Sequence, residues 1–330
     1  MKRWIAPLVA LAGLGALSAP AWAQATIKPA IVYANGGKFD KSFNEGVSNG
    51  AKKFSDETKI AVVDFEPANE TQFEQAQRRF AQRGQDPIIA VGFSQAVALE
   101  KVAKEFPTTK FAIIDAVVDL PNVQSIVFKE HEGSFLVGMA AAMASKTGKV
   151  GFVGGMDIPL IRKFALGYDE GAKYVNPKIE IFQNMTGTTP AAWNDPTRGA
   201  ELARSQFDRG ADVVYAAAGA TGLGVLQAAR DKGKLAIGVD SNQNYLHPGT
   251  ILTSMIKRVD LAIYETFKTA KDGGWKPGLR NLGVAEDGVG YALDQYNRDL
   301  ITPEMERRLA QARADIIAGK IKVTDYMAKK

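Results

Sequence analysis

The sequence has no cysteine in its 330 residues. That excludes a disulfide framework, a thiolate nucleophile, a thiolate metal ligand and a lipid carried on an N-terminal cysteine. Histidine is scarce too, with only His131 and His247, the second beside Pro248. No H-E-x-x-H zinc helix can be written from them, and no G-x-S-x-G nucleophile elbow occurs. No low-complexity tract interrupts the body of the chain, and no apolar run after residue 25 is long enough to span a bilayer. Charge of one sign is barely in excess: 41 Lys and Arg stand against 36 Asp and Glu, with a pI near 9.1. The basic residues are scattered among acids rather than gathered into a stripe, which argues against a nucleic-acid partner.

What is present begins with an export signal. "MKR" is a short positive segment, "WIAPLVALAGLGAL" an apolar core and "SAPAWA" a small-residue cleavage region. A signal peptide over residues 1–23, cut after Ala21-Trp22-Ala23 and before Gln24, is expected. The alternative is a retained anchor, and Pro20 with the Ala-x-Ala site favours removal. Loss of Lys2 and Arg3 lowers the formal charge from +5 to +3. The expected product is a soluble periplasmic protein without a lipid.

The full sequence is 46% hydrophobic and 23% charged, an ordinary globular balance, and its length suits two domains or one large one. Short β-branched runs alternate with helical patterns almost to the C-terminus. Strands are expected at 30–34, 60–65, 87–92, 111–116, 123–128, 150–155, 179–184, 212–218, 235–240 and 250–256, with amphipathic helices at 69–83, 94–105, 131–145, 159–174, 194–208 and 222–232. Such alternation predicts parallel sheets of βαβ units, and ten or so strands suit two doubly wound sheets better than one. "AIVYANGGKFDKSFNEGVSNGAKKF" and "VGFVGGMDIPLIRKFALGYDEGAKYV" share a strand, turn, helix order that hints at an internal repeat. The lobe boundary is placed near 129–133 with a return crossing near 254–258. "DGGWKP" (272–277) and the tail "KIKVTDYMAKK" read as surface connectors.

Open α/β sheets bind ligands outside the carboxyl ends of their strands. The residues there are Asp40, Phe43 and Asn44 after the first strand, Phe93 and Ser94 in "VGFSQA", Asp115 ending "FAIID", Gly154 and Gly155 ending "GFVGG", Gly219 after "YAAA", Asp240 ending "IGVD" and Lys257 ending "TSMIK". Three carboxylates, one ammonium and two aromatics at equivalent positions describe a polar cleft for a small ligand carrying hydroxyls and a ring. Each has a plainer reading: Ser42 as a helix N-cap, Phe43 as a core residue, Asp115 as a strand-end cap, Lys257 as a surface lysine. His131 reads as a cap at the lobe boundary.

Two enzyme readings compete. Gly219, Gly222 and Gly224 followed by Asp240 imitate a dinucleotide fingerprint, but the spacing is G-x-x-G-x-G and lies in mid-chain, so they are read as a tight turn and no cofactor is expected. A carboxylate pair from Asp40, Asp115 and Asp240 could serve a nucleoside hydrolase, and spacing leaves that open.

The stretches "FDKSFNEG", "FKEHEGSFLVGMAAAMASKTGKVGFVGGMDIPLIRKFALGYDEGAKYV", "AAAGATGLGV" and "GVDSNQ" resemble the basic membrane protein family of ABC-importer substrate-binding proteins, which includes bacterial purine-nucleoside receptors. The resemblance runs from about Ile27 to beyond Asp294, and "SKTGKVGFVGGM" is its most specific block. Many relatives are lipoproteins, which a chain without cysteine cannot be. Many also carry two adjacent acids before Lys-Ser-Phe-Asn, where Phe39 and Asp40 stand here.

The resemblance implies a periplasmic-binding-protein type I fold. Its lobes would comprise 24–130 with about 258–290, and 131–257 with about 291–330. They would close as a monomer over a purine nucleoside or base and deliver it to a permease and its ATPase, with no reaction catalysed. On that reading Phe43 stacks on the base, with Phe164 or Trp193 opposite. Asn44 and Asp115 read its edge, while Asp240 and Lys257 hold the ribose diol.

Overall fold

The computed structural model describes Met1 and residues 27–329. The expected signal peptide and its cleavage point lie outside the described residues. Among the described residues, twelve strands and nine α-helices follow in chain order. The first half runs β1 (Ala30–Val32), α1 (Phe43–Thr58), β2 (Val63–Phe65), α2 (Phe73–Gln82), β3 (Ile88–Val91), α3 (Ala96–Glu105), β4 (Phe111–Ile114) and β5 (Val123–Phe128). The second runs α4 (Glu130–Ala144), β6 (Lys149–Met156), α5 (Pro159–Val175), β7 (Glu180–Gly187), α6 (Pro196–Asp208), β8 (Val213–Ala217), α7 (Gly222–Asp231), β9 (Leu235–Asp240) and β10 (Ile251–Lys257). Then come α8 (Val259–Lys271), β11 (Gly278–Leu282), β12 (Val289–Tyr291) and α9 (Pro303–Ile317).

The strands form two six-stranded sheets, ordered β11-β5-β4-β3-β1-β2 and β12-β10-β9-β8-β6-β7. Counted from each half's first strand, the two orders are the same, so the repeat hinted at in the sequence is repeated in topology. Every pairing within the sheets is parallel except β12 against β10. The chain passes between sheets three times: from β5 into α4, from β10 to β11 through α8, and from β11 to β12.

Strand alternation sorts side chains into separate cores, because successive residues of a strand face opposite sides. Ala30, Val32, Ile88, Ala90, Phe111 and Ile113 pack under α2 and α3. Their neighbours Ile31, Tyr33, Ile89, Val91, Ala112 and Ile114 join the central core with α1, α4, α5 and α8. The second sheet does the same, with Val153, Val214 and Ala236 under α6 and α7 and Phe152, Tyr215 and Ile237 in the central core. Each Val, Ile or Phe side chain buried in this way contributes about 1.5–3 kcal/mol.

Helix α4 differs from the expected amphipathic segment: it is buried nearly all round, with Ser134, Phe135, Leu136, Val137 and Met139 inaccessible. Close packing allows this, since a Cβ at Gly138 would meet the backbone of Tyr168 on α5. Two strands were not anticipated. β11, "GLRNL", is largely exposed and carries no alternating pattern, and β12 has three residues. The tail is more than a connector, because Tyr326–Lys329 forms a 3-10 turn and Thr324 N donates to Glu170 on α5 at 2.9 Å. Among the described residues, no helix is long and apolar enough to cross a membrane.

Candidate ligand-binding site

A cavity with about 730 Å³ of unfilled space, part of it open to solvent, lies between the carboxyl ends of the two sheets. Ten of the thirteen strand-end and stacking candidates named from the sequence line it: Asp40, Phe43, Phe93, Ser94 and Asp115 from the first half, and Phe164, Trp193, Gly219, Asp240 and Lys257 from the second; Gly154 and Gly155 do not.

Asn44 is not brought into the cavity. Its Oδ1 accepts from Ala34 N at 3.3 Å, and its Nδ2 donates to the carbonyls of Ala34, Asn35 and Gly37 at 3.0–3.4 Å. With its amide satisfied by main chain, it organises the loop after β1 rather than reading a ligand edge. Asp40 lies on the wall, but its carboxylate accepts from the amides of Ser42, Asn44 and Glu45 at 2.8–3.1 Å. It therefore does the capping work at the start of α1 that was expected of Ser42. Ser42 instead reaches the other sheet, donating from Oγ to Asp240 Oδ2 at 2.6 Å. His131 is no cap either. It is the second residue of α4, buried, with Nδ1 unpartnered, and burial followed by the nearby Lys163 ammonium pushes its pKa down.

Lys257 is far from the surface lysine of the plainer reading, its side chain being 2% exposed. Its Nζ lies 2.7 Å from Asp115 Oδ2 and 3.1 Å from Glu130 Oε1. Glu130 in turn pairs with Lys163 at 2.7 Å, and Lys163 donates to the Phe128 carbonyl at 2.6 Å. Burial opposes the charge on Lys257, but Asp115, Glu130 and Asp240 together overcome it and raise its pKa. Glu130 shows the mirror case: burial works against ionisation, and Lys257 and Lys163 still hold it below its usual range. The ammonium is also 5.1 Å from the ring centre of Phe43, 5.0 Å from Phe128 and 5.7 Å from Phe164.

Asp115 and Asp240 adopt positive φ, 68° and 63°, at the ends of β4 and β9. This left-handed turn is one that Asp tolerates better than most residues. Burial pushes both carboxyls up to about 6, with the Lys257 charge pulling the other way. Asp40 also rises to about 6 through burial, against its three amide hydrogen bonds. Trp193 closes the cavity from the 3-10 turn after β7, and a Cβ at Gly155 would collide with its ring.

Sequence reading missed Glu130 and Lys163, whose partners are distant in the chain, as well as Asn35 and Glu70, which also line the cavity. Neither Asn35 nor Glu70 directly ends a β-branched run, the signal that marked the others.

Paired sheets of this order around a cavity are an architecture that solute-binding proteins adopt. The fold is similar to that of a crystallised ABC transporter solute-binding protein of Aeropyrum pernix, with a TM-score of 0.83 and 30% identity, covering 91% of this chain and 93% of that one. It is also similar to one from Conexibacter woesei, with a TM-score of 0.75 and 22% identity over 91% of this chain and 99% of that one.

The chain belongs to the Bmp family: residues 27–326 match the family model described as ABC transporter substrate-binding protein, PnrA-like. A Lactococcus lactis protein named as the ABC transporter nucleoside-binding protein BmpA is 32% identical over 320 residues, 90% of this chain and 89% of its own. An uncharacterized lipoprotein of Pyrococcus horikoshii is 36% identical over 282 residues, 81% of this chain and 69% of its own. That name contrasts with the lipid-free product expected here, and the present sequence has no thiol to carry such a lipid. The family consists of solute-binding proteins, so the hydrolase and dehydrogenase readings fall. A small-molecule ligand and an ABC permease are the partners that membership implies.

Proposed function

We propose that the protein is exported to the periplasm, binds a purine nucleoside or related nucleobase compound in the cavity, and passes it as a monomer to an ABC permease. The observation that carries this reading is the pairing of aromatic faces with polar ends. Phe43 and Phe164 come from opposite halves, and both rings lie within 6 Å of one ammonium beside the cavity. A flat base between them would gain stacking and exclude water. Asp240 keeps one oxygen free of Ser42, and Lys257 keeps one N–H beyond its two carboxylates, which suits a ribose diol.

The proposed lobes are 24–130 with about 258–290 and 131–257 with about 291–330, moving about the three crossings. Contacts from Ser42 to Asp240 and from Gln243 Nε2 to the Lys41 carbonyl at 3.0 Å bridge the two halves. A ligand that satisfies both walls favours the closed arrangement over the open one. Lipid-free export follows from the N-terminal signal and the missing thiol. Native mass spectrometry of the purified protein tests the ligand: a co-purified nucleoside or base supports the reading, and a bound sugar or peptide overturns it.

A further inference from the structure

The cavity lining is rich in side chains that accept hydrogen bonds. Asn35, in the loop after β1, donates from Nδ2 to Glu70 Oε1 at 3.2 Å, and both residues line the cavity. A carboxylate can only accept, so the nitrogen of the Asn35 amide is the end held toward Glu70 and its oxygen points away. Asp115 presents a third acceptor. Its side chain is 6% exposed, one oxygen is taken by Lys257, and Oδ1 is buried with no partner. The single ammonium on the cavity wall, Lys257, is engaged with Asp115 and Glu130. Of the other neutral side chains in the lining, Ser94 and Trp193 can donate. Across the whole lining, four carboxylates (Asp40, Glu70, Asp115 and Asp240) face that one ammonium.

The geometry points to a ligand whose heterocycle turns an amino-bearing edge toward Asn35, Glu70 and Asp115, with Glu70 as the specificity-determining residue that fixes the Asn35 amide as an acceptor. The inference rests on the nucleoside reading and narrows it to amino-substituted purines. Guanine offers an N–H beside an amino group and adenine an amino group, whereas hypoxanthine offers one N–H beside a carbonyl. A carbonyl oxygen set against these three residues meets like partial charge and leaves an acceptor unmet. Glu70 lies exposed at the mouth of the cavity, so its replacement leaves the fold intact.

The test is calorimetric titration of the full chain and of Glu70→Gln with guanosine, adenosine and inosine, beside melting curves of each empty protein. The intact protein should bind the better of the two amino nucleosides about tenfold more tightly than inosine, the worth of one hydrogen bond to a charged group. Glu70→Gln can donate and releases the Asn35 amide, so that ratio should shrink to about twofold while the melting temperature holds. Inosine binding as tightly as both amino nucleosides overturns the inference and leaves the nucleoside reading standing. An unchanged ratio in Glu70→Gln removes the role assigned to Glu70. Failure of all three nucleosides to bind overturns the nucleoside reading and this inference with it.

Discussion

Asp115 and Asp240 occupy matching places in the two halves. Each sits at the end of its half's fourth strand, with φ of 68° and 63°, and burial pushes each up to about 6. Each reaches across to the opposite half for its partner, but the partners differ. Asp115 takes an ammonium, Lys257, from the end of β10, and leaves Oδ1 unpartnered. Asp240 takes a hydroxyl, Ser42, at the start of α1. One repeated backbone feature thus yields two chemically distinct ends of a cavity: an ion pair with a free acceptor, and a carboxylate softened by a hydroxyl. The repeated strand order gives the two ends their symmetry, and the residues across the cleft break it.

The largest effect is expected from removing the shared cation. Lys257→Met leaves Asp115 and Glu130 buried around no ammonium from this site, and truncating one partner of such a pair costs roughly 3–5 kcal/mol. Urea unfolding should show a loss of that size, and nucleoside binding should vanish with it. A loss below about 1 kcal/mol would mean the network contributes no more than a surface pair.

Phe43 lies on the seam between the two ends. Phe43→Ala should remove about 1–3 kcal/mol of binding if the ring stacks on a base, roughly ten- to a hundredfold or more in dissociation constant. If the ring is only packing, the empty protein should melt lower while affinity is untouched. Calorimetry paired with melting curves separates the two.

Asn44→Ala should act on the scaffold alone. Its amide holds the loop from Ala34 to Gly37, so the empty protein should lose about 1–3 kcal/mol, the cost of unmet buried partners. Affinity for guanosine and inosine should fall by the same factor. A changed ratio between them would restore the edge-reading role that the sequence suggested.

That last case shows what was legible in the sequence. β-Branched runs such as "IIAV" and "LAIGVD" announced strands because their residues alternate between two buried cores. The rule that ligands meet strand ends then led to Asp115, Asp240 and Lys257 without further information. It could not say which way a side chain turns. Asn44, one residue after Phe43 at the start of α1, points inward while Phe43 faces the cavity. Nor could it join Glu130, Lys163, Asp115 and Lys257, since no spacing links residues that only the three crossings bring together. β11 stayed hidden because an exposed edge strand needs no apolar pattern.

The smallest expected effect is on pH dependence. Asp115 and Asp240 in the empty protein have pKa values raised above their unfolded values, so each favours folding in its protonated form. That contribution is fully present below the ordinary carboxylate range and is lost as pH rises through about 6. The empty protein should therefore gain stability from these two groups as pH falls from neutrality through about 6. Nucleoside affinity should fall over the same window, by about tenfold at pH 5 for one carboxylate that must be ionised. Calorimetry at several pH values checks this, and affinity constant from pH 7.5 to 5 would show that neither carboxylate is needed in its charged form.

The most direct measurement sets the two matching aspartates against each other. Asp115→Asn and Asp240→Asn are each titrated with one nucleoside and with its free base. If Asp115 reads the heterocycle and Asp240 the ribose, Asp115→Asn should weaken both ligands alike. Asp240→Asn should then weaken the nucleoside by about tenfold and leave the free base unchanged. Equal losses for base and nucleoside in Asp240→Asn, or none in either variant, would contradict the division of the cavity into a base end and a sugar end.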